Sequence, residues 1–478
     1  MTSKIKKKTR KKTNLLEKEL DILRKAIEYK KQENKFYLKD KTIKNIFQIL
    51  ESFLKKKQLV CYGGTAINNI LPISDQFYDK NIDLPDYDFF SPNALNDAKE
   101  LANIYYNEGF DEVEAKSGVH EGTYKVYVNF IPVADITELD SNLFTALQNN
   151  AIIKKGIYYA PANFLRMSGY LELSRPDGDI SRWEKVWGRL RLLNQNYPIL
   201  NKKCAGKDLI KHFKNPFENF NKIHKIVFES VVKQKLVFFG GYALYSYAKH
   251  MNNSDHKHFK NNPDFDVLSI DPLSSANIIK NNLIKNNVNN VTIQYHKPIG
   301  EIISEHYEIK VDDNSIIFLY KTNACHSYNT IKINNKVINI ASIDTMLSLY
   351  LAFLYANRTY YDTTRILCIS QFLFNLQIKN RLSQKGILKR FTTKCYGNQQ
   401  TLEDIKANKS FIYNELKNEY RFNEYQKHFF RYIPTKNKST KNKSTKNKST
   451  KNKSTKNKST KNKSTKNKSK KHKSKKHK

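Results

Sequence analysis

The sequence predicts a mixed α/β (α+β) protein made of two tandem, related domains with basic, disordered ends. Three observations lead there. Short apolar runs of strand length alternate with stretches of helical period along most of the 478 residues. A glycine doublet closing an apolar run, followed by paired aspartates, occurs twice: in "KQLVCYGGTAINNILPISDQFYDKNIDLPDYDFF" (57–90) and in "QKLVFFGGYALYSYAKHMNNSDHKHFKNNPDFDVLS" (234–269). The chain closes in lysine-rich simple sequence.

Leu16, Leu20, Leu23 and Ile27 share one helical spacing, and Ile43, Ile46, Phe47, Leu50 and Leu54 another, so two amphipathic helices precede the first doublet. "LVCY" and "YDFF" read as short buried strands. "YKVYVNFIPVADIT" (124–137) reads as one longer strand whose proline belongs at an edge or bulge. "APANFLRMSGYLEL" and "RWEKVWGRLRLL" then return to helical period. The second half repeats this order: Ile223, Ile226, Val227 and Val231 form a helix face, "KLVFFGGYAL" ends in the second doublet, and "FDVLSI" follows the second aspartate pair. "ESFLKKKQLVCYGGTA" aligns with "ESVVKQKLVFFGGYA" with one gap. Gly64 lies 22 residues before Asp86, and Gly241 lies 23 before Asp264. An internal duplication accounts for both. The expected layout is a basic N-terminus (1–13), a first domain (14–195), a polar joint containing proline and glycine (196–219), a second domain (220–434) and a tail (435–478).

The formal charge of +39 is unevenly placed. The tail carries 20 lysines and residues 1–13 carry seven basic groups, with no acid in either, so only +12 belongs to the body. Basic ends on a moderately basic body point to a polyanionic partner. The tail, seven copies of "TKNKS" followed by "KKHKSKKHK", has no apolar side chain to bury and is expected to be disordered. It reads either as a sequence-blind RNA attachment arm or as a simple-sequence expansion without a dedicated role. Five scattered cysteines, none in a CxxC pair, indicate neither a disulfide framework nor a zinc ribbon, and fit a reducing compartment. The most apolar helical stretch, Thr345 to Ala356, is too short to span a bilayer, so a soluble protein without a membrane partner is expected.

The chemistry resides in the first motif. Residues i and i+2 of a strand face the same side, so Asp86 and Asp88 present two carboxylates together. Such a pair repels unless a cation lies between, and Mg2+ (or Mn2+) suits hard oxygen ligands shared with substrate phosphates. Asp135, in the next strand pattern, would be the third carboxylate of a site for nucleotidyl transfer. Gly63 and Gly64, at a strand-to-helix turn, let backbone approach a triphosphate, and Thr65 adds donors at the helix N-terminus. In the second copy Gly240, Gly241, Asp264 and Asp266 persist. The strand "SIIFLYKTN" (315–323) has no carboxylate, and Asp312 and Asp313 fall in the turn before it. A degenerate scaffold copy is expected there; the contrary reading is a second nucleotide site.

"GGTA", "DLPDYDFFS" and "PVADIT" resemble the nucleotidyltransferase superfamily of the DNA polymerase beta type. With "YLELSRPDGDISRWEKVWGRLRLL", the chain over roughly residues 35–375 resembles the poly(A) polymerase catalytic subunits of large cytoplasmic DNA viruses, of giant-virus and poxvirus type. The resemblance implies two tandem nucleotidyltransferase-like domains and template-independent adenylate transfer from ATP to RNA 3′ ends. It implies Asp86 and Asp88 as ligands of both metal ions and Asp135 as ligand of the catalytic ion, helping to deprotonate the RNA 3′-hydroxyl. It further implies Gly63, Gly64 and Thr65 on the ATP phosphates, and Arg182 and Lys185 neutralising the leaving pyrophosphate. The expected partners are RNA 3′ ends and ATP, with a homodimer or a processivity subunit as alternatives for assembly, in the virion and host cytoplasm. Two rivals remain: a nucleotidyltransferase with a tRNA or small-molecule acceptor, and a non-catalytic RNA-binding or processivity subunit.

Overall fold

In the computed structural model the two glycine doublets occupy the same place in two sheets of the same strand order. The structure describes residues 15, 17–30, 40–79, 83–200, 202, 204–209, 219–250, 264–417 and 422–435. The expectations for the basic N-terminus and for the tail beyond Thr435 lie outside these residues.

The first sheet contains β1 (Val60–Tyr62), β2 (Tyr87–Ser91), β3 (Val113–Ser117), β4 (Thr123–Val128), β5 (Ile131–Glu138), β6 (Ile152–Lys154) and β7 (Ile157–Tyr159). The second contains β8 (Val237–Phe238), β9 (Phe265–Ser269), β10 (Val291–His296), β11 (His306–Val311), β12 (Asn314–Lys321), β13 (His326–Ile333), β14 (Lys336–Ala341) and β15 (Cys395–Tyr396). A last strand, β16 (Arg431–Tyr432), returns to the first sheet. The orders are β16-β3-β4-β5-β2-β1-β7-β6 and β10-β11-β12-β9-β8-β14-β13-β15. Seven positions correspond in order and in sense, including the parallel pairs β2·β5 with β9·β12 and β1·β7 with β8·β14. The duplicated sequence therefore folds as a duplicated topology.

The helix Lys41–Lys57 follows from the predicted periodicity: Asp40 caps its N-terminus by accepting from Thr42 N, and Ile43, Ile46, Phe47, Leu50 and Leu54 line the buried side. Its counterpart Phe220–Lys233 buries Ile223, Val227 and Val231. Helices Ala162–Leu173 and Trp183–Asn196 have counterparts in Ile343–Phe353 and Thr363–Lys379. Helix Ile343–Phe353 packs on Ala162–Leu173, so one apolar core runs through both copies. Among the described residues no helix is long and apolar enough to cross a membrane.

Two expectations are corrected. Residues 124–137 form a hairpin, β4 and β5, rather than one strand, because Asn129 and Phe130 both take positive φ (50° and 64°) and reverse the chain. Pro132 does sit at a register shift in that ladder, where its missing N–H is tolerated. Four of the five cysteines pair as Cys204–Cys368 and Cys325–Cys395, with Cys61 buried and free. The partners stand 164 and 70 residues apart, a separation that local spacing rules do not address. The expected second domain, 220–434, also gives its final strand to the first sheet: Arg431 pairs with Lys116 and Tyr432 with Ala115 on the edge of β3.

Candidate active site

Sheet register brings the predicted carboxylates together. Asp88 on β2 lies directly beside Asp135 on parallel β5, and Asp135 lies opposite Lys125 on β4. On the other flank Asp88 pairs with Tyr62, the last residue of β1. A row of Lys125, Asp135, Asp88 and Tyr62 thus crosses four strands. Asp86 stands one residue before β2, within electrostatic reach of Asp135.

The charges in this row are not balanced. Burial, then Asp86 and Asp135, push the Asp88 carboxyl up to about 7. Burial and Asp135 also raise Asp86, against Lys125, Lys185 and Arg189. Lys125 forms an ion pair with Asp135 and is its only ion-pair partner among the described residues. Three carboxylates near one lysine are hard oxygen donors that repel one another until a cation joins them, the donor chemistry a divalent cation takes, although their oxygens do not all lie within 4.8 Å of one another.

The doublet meets the carboxylates from above. Gly63, with φ +73°, starts the helix Gly63–Ile70, and any side chain there would collide with Asp88. At Gly64 an added Cβ would lie 2.6 Å from Tyr78 Oη and 2.8 Å from Arg189 Nη2. Thr65 is 5% exposed, and its buried hydroxyl has no hydrogen-bond partner. Arg189, on helix Trp183–Asn196, donates to Tyr78 Oη at 2.5 Å and lies over the rings of Phe77 (5.1 Å) and Tyr78 (5.6 Å). Buried Asn68 accepts from the N–H groups of both Phe77 and Tyr78, which pins this cover to the helix behind the doublet. A helix N-terminus, a cramped glycine turn, an unpartnered hydroxyl and a guanidinium therefore meet beside three acids.

Residues 48–179 match the family model described as Poly(A) polymerase catalytic subunit. The resemblance read from the motifs is borne out over that segment. It contains the first doublet, Asp86, Asp88, Asp135 and Lys125, and ends before Arg182, Lys185 and Arg189. Two curated relatives are each named "Putative poly(A) polymerase catalytic subunit". One, from Acanthamoeba polyphaga mimivirus, is 33% identical over 158 residues, covering 32% of this chain and 26% of the relative. The other, from African swine fever virus, is 30% identical over 163 residues, covering 33% and 34%. The aligned stretch thus spans about a quarter to a third of these relatives. The crystal structure of the Megavirus polyadenylate synthase superposes with a TM-score of 0.71 over 83% of both chains at 20% identity, a likeness of fold.

The other predicted positions divide. Arg182, at the start of the helix, is ion-paired with Glu172 at 3.0 Å, yet its charge still reaches Asp88. Lys185 is exposed and acts on Asp86 through space. Sequence reasoning missed Lys125, Tyr78 and Arg189. Lys125 is one polar residue of an alternating strand, and Arg189 is one of several basic residues on its helix. Only packing shows which of them turns toward the doublet.

Proposed function

We propose that this chain is a template-independent polynucleotide adenylyltransferase that transfers AMP from ATP to RNA 3′ ends. The single observation that carries the reading is the register that sets Asp135 beside Asp88, with Asp86 within electrostatic reach of both, at the first glycine doublet. In the reaction the 3′-oxygen of the acceptor attacks the α-phosphorus, the bond to the bridging oxygen breaks, and pyrophosphate leaves. Asp86, Asp88 and Asp135 would hold Mg2+ or Mn2+, which when bound supplies positive charge for the phosphates and acidifies the attacking hydroxyl. Asp135, fixed by Lys125, lies on the acceptor side and draws the hydroxyl proton. The backbone at Gly63 and Gly64, the Thr65 hydroxyl and the Arg189 guanidinium hold the phosphate oxygens, and Lys185 and Arg182 add charge toward the leaving pyrophosphate. Such a site positions and neutralises more than it moves protons, as in-line phosphoryl chemistry requires.

The complete carboxylate set supports an enzyme over a non-catalytic RNA-binding subunit. The words "catalytic subunit" in the relatives' names favour a separate processivity partner over a homodimer. Likeness to viral proteins supports action in the virion and host cytoplasm. Incubation with labelled primer RNA, Mg2+ and each nucleoside triphosphate in turn tests the reading. Extension by ATP alone is the expected result. No extension of RNA, with transfer to tRNA ends or a small acceptor instead, would replace the acceptor; no transfer at all would overturn the reading.

A further inference from the structure

The second doublet is closed by the protein's own atoms. Side chains at Gly240 and Gly241 would overlap the carboxylates of Asp266 and Asp264 respectively. In the first copy only the first glycine is pressed on an acid, and the second faces Tyr78 and Arg189. One acid of the second copy, Asp264, is also already paired with a cation. Arg365, from helix Thr363–Lys379, donates Nη2 to Asp264 Oδ1 at 3.3 Å, with the two side chains only 18% and 9% exposed. Burial works against the guanidinium charge, and Asp264, then Tyr350 and Asp266, outweigh it. Beside Asp266, where register would place a third carboxylate, β12 carries Phe318. A divalent ion requires several hard oxygens, and a guanidinium that cannot lose its proton already pairs with Asp264 and acts through space on Asp266. The donor set therefore does not fit a metal.

The same helix holds the joint between the copies. Arg365 Nε donates to the Leu209 carbonyl at 3.2 Å, Gln371 Oε1 accepts from Leu200 N at 3.3 Å, and Cys368 is bonded to Cys204. We propose that Arg365 is a built-in cation that has replaced the metal of the second copy, turning a former nucleotide site into an ion pair that fastens the joint to the second sheet. The inference rests on the first copy being the metal-dependent site only for the comparison of the two.

Mn2+ binding by the full chain, read by electron paramagnetic resonance as loss of the free-ion signal, tests it. The high-affinity count is expected to fall to zero in Asp88→Asn and to stay at the wild-type value in Asp264→Asn. Arg365→Gln should gain one site per chain, removed again by adding Asp264→Asn, whereas Arg365→Lys should gain none. Protease cleavage within 196–219 should rise several-fold in Arg365→Gln. A wild-type count that drops in Asp264→Asn overturns the proposal, as does a folded Arg365→Gln that gains no site. Unchanged cleavage overturns its second half. Should Arg365→Gln fail to fold, Asp88→Asn decides: Mn2+ sites that survive there and vanish on adding Asp264→Asn overturn it. A wild-type chain that binds no Mn2+ at its first copy would instead defeat the proposed function and leave this inference standing.

Discussion

Two rows of four residues at the same place in the two sheets, the first crossing four strands and the second three strands and the residue after β8, have opposite chemistry. In the first copy the row is Lys125, Asp135, Asp88, Tyr62. In the second it is Glu308, Phe318, Asp266 and Phe239, the last donating its N–H to the Asp266 carbonyl. One acid keeps its place and its glycine. Around it a cation has become an anion, an acid a phenyl ring and a phenol a phenyl ring. Glu308 has in turn acquired local partners, His296 at 2.9 Å and Lys310 at 3.6 Å. The backbone scaffold thus outlives the chemistry it carries: hydrogen-bond register needs only strand-forming residues, while the site needs particular charges at particular rungs.

The comparison breaks most sharply at the shared acid. Asp88→Ala should lower primer extension by at least about 100-fold, since it removes a charge that a preorganised site provides for the reacting phosphate. Asp266→Ala should stay within about threefold of wild type once circular dichroism and melting show it folded. Comparable loss in both would mean that the second row takes part in catalysis. Asp135→Asn keeps the size of the side chain and loses its charge, and should approach Asp88→Ala.

What was legible in the sequence follows the same division. The doublets, the aspartate pairs and Asp135 were readable because the chemistry requires those residue types at short, regular spacing. The missing acid of β12 was readable for the same reason. The β4–β5 reversal was not, because its turn is Asn129–Phe130, and a phenylalanine at φ 64° belongs to no common turn signature. The cysteine pairs and the arrival of β16 on β3 were not, because they join residues far apart in the chain. Arg189 and Arg365 come from corresponding helices, yet one reaches an open glycine turn and the other a closed acid pair. Their roles depend on the register and packing of those helices, which no local motif encodes.

A second, smaller contrast separates Arg189, which packing brings to the doublet, from Arg182, which the sequence assigned to the leaving pyrophosphate. Arg189→Met should raise KM for ATP by about tenfold or more, the scale of losing a hydrogen bond to a charged group. Arg182→Met should change it by no more than about threefold, because Arg182 is half exposed and already paired with Glu172. Steady-state kinetics with ATP as the varied substrate measure both. A larger effect at Arg182 would reverse this order and return the phosphate role to the residue first expected from the sequence.

The copies should also respond to pH in opposite directions. Asp88, raised to about 7 by burial and by its acidic neighbours, binds a proton in the folded chain that the unfolded chain has released above about 4. Without metal, its contribution to stability therefore falls as pH rises from about 4 to 7. In the second copy burial lowers His306 to about 4, and also lowers His326, to about 3. Unfolding lets these rings take up protons, so stability is lost as pH falls from about 6.5 toward 4. Burial, with His296 stacked on the ring and Arg358 nearby, holds His306 neutral against the Ser304 carbonyl, which faces Nδ1 and favours the proton; Nε2 faces Tyr360 Oη. In melting curves of the metal-free chain between pH about 4 and 7, Asp88→Asn should remove a few degrees of the fall with rising pH, and His306→Gln a few degrees of the fall with falling pH. An unaltered profile in Asp88→Asn would show that the first row is not under charge strain.

The smallest expected effect concerns the tail, whose composition is unlike either copy. Removing residues 435–478 takes away 20 lysines and no apolar side chain, so melting and single-nucleotide addition at saturating primer should be unchanged. Primer affinity should fall most at low salt, because each phosphate neutralised by a lysine releases a condensed counterion, and the slope of log affinity against log salt should become shallower. The carboxylate row cannot contribute to that slope, since it gathers cations rather than phosphates. A salt series of primer binding on the full and shortened chains isolates the tail. Equal slopes would exclude it from RNA attachment and leave it a simple-sequence expansion without a dedicated role.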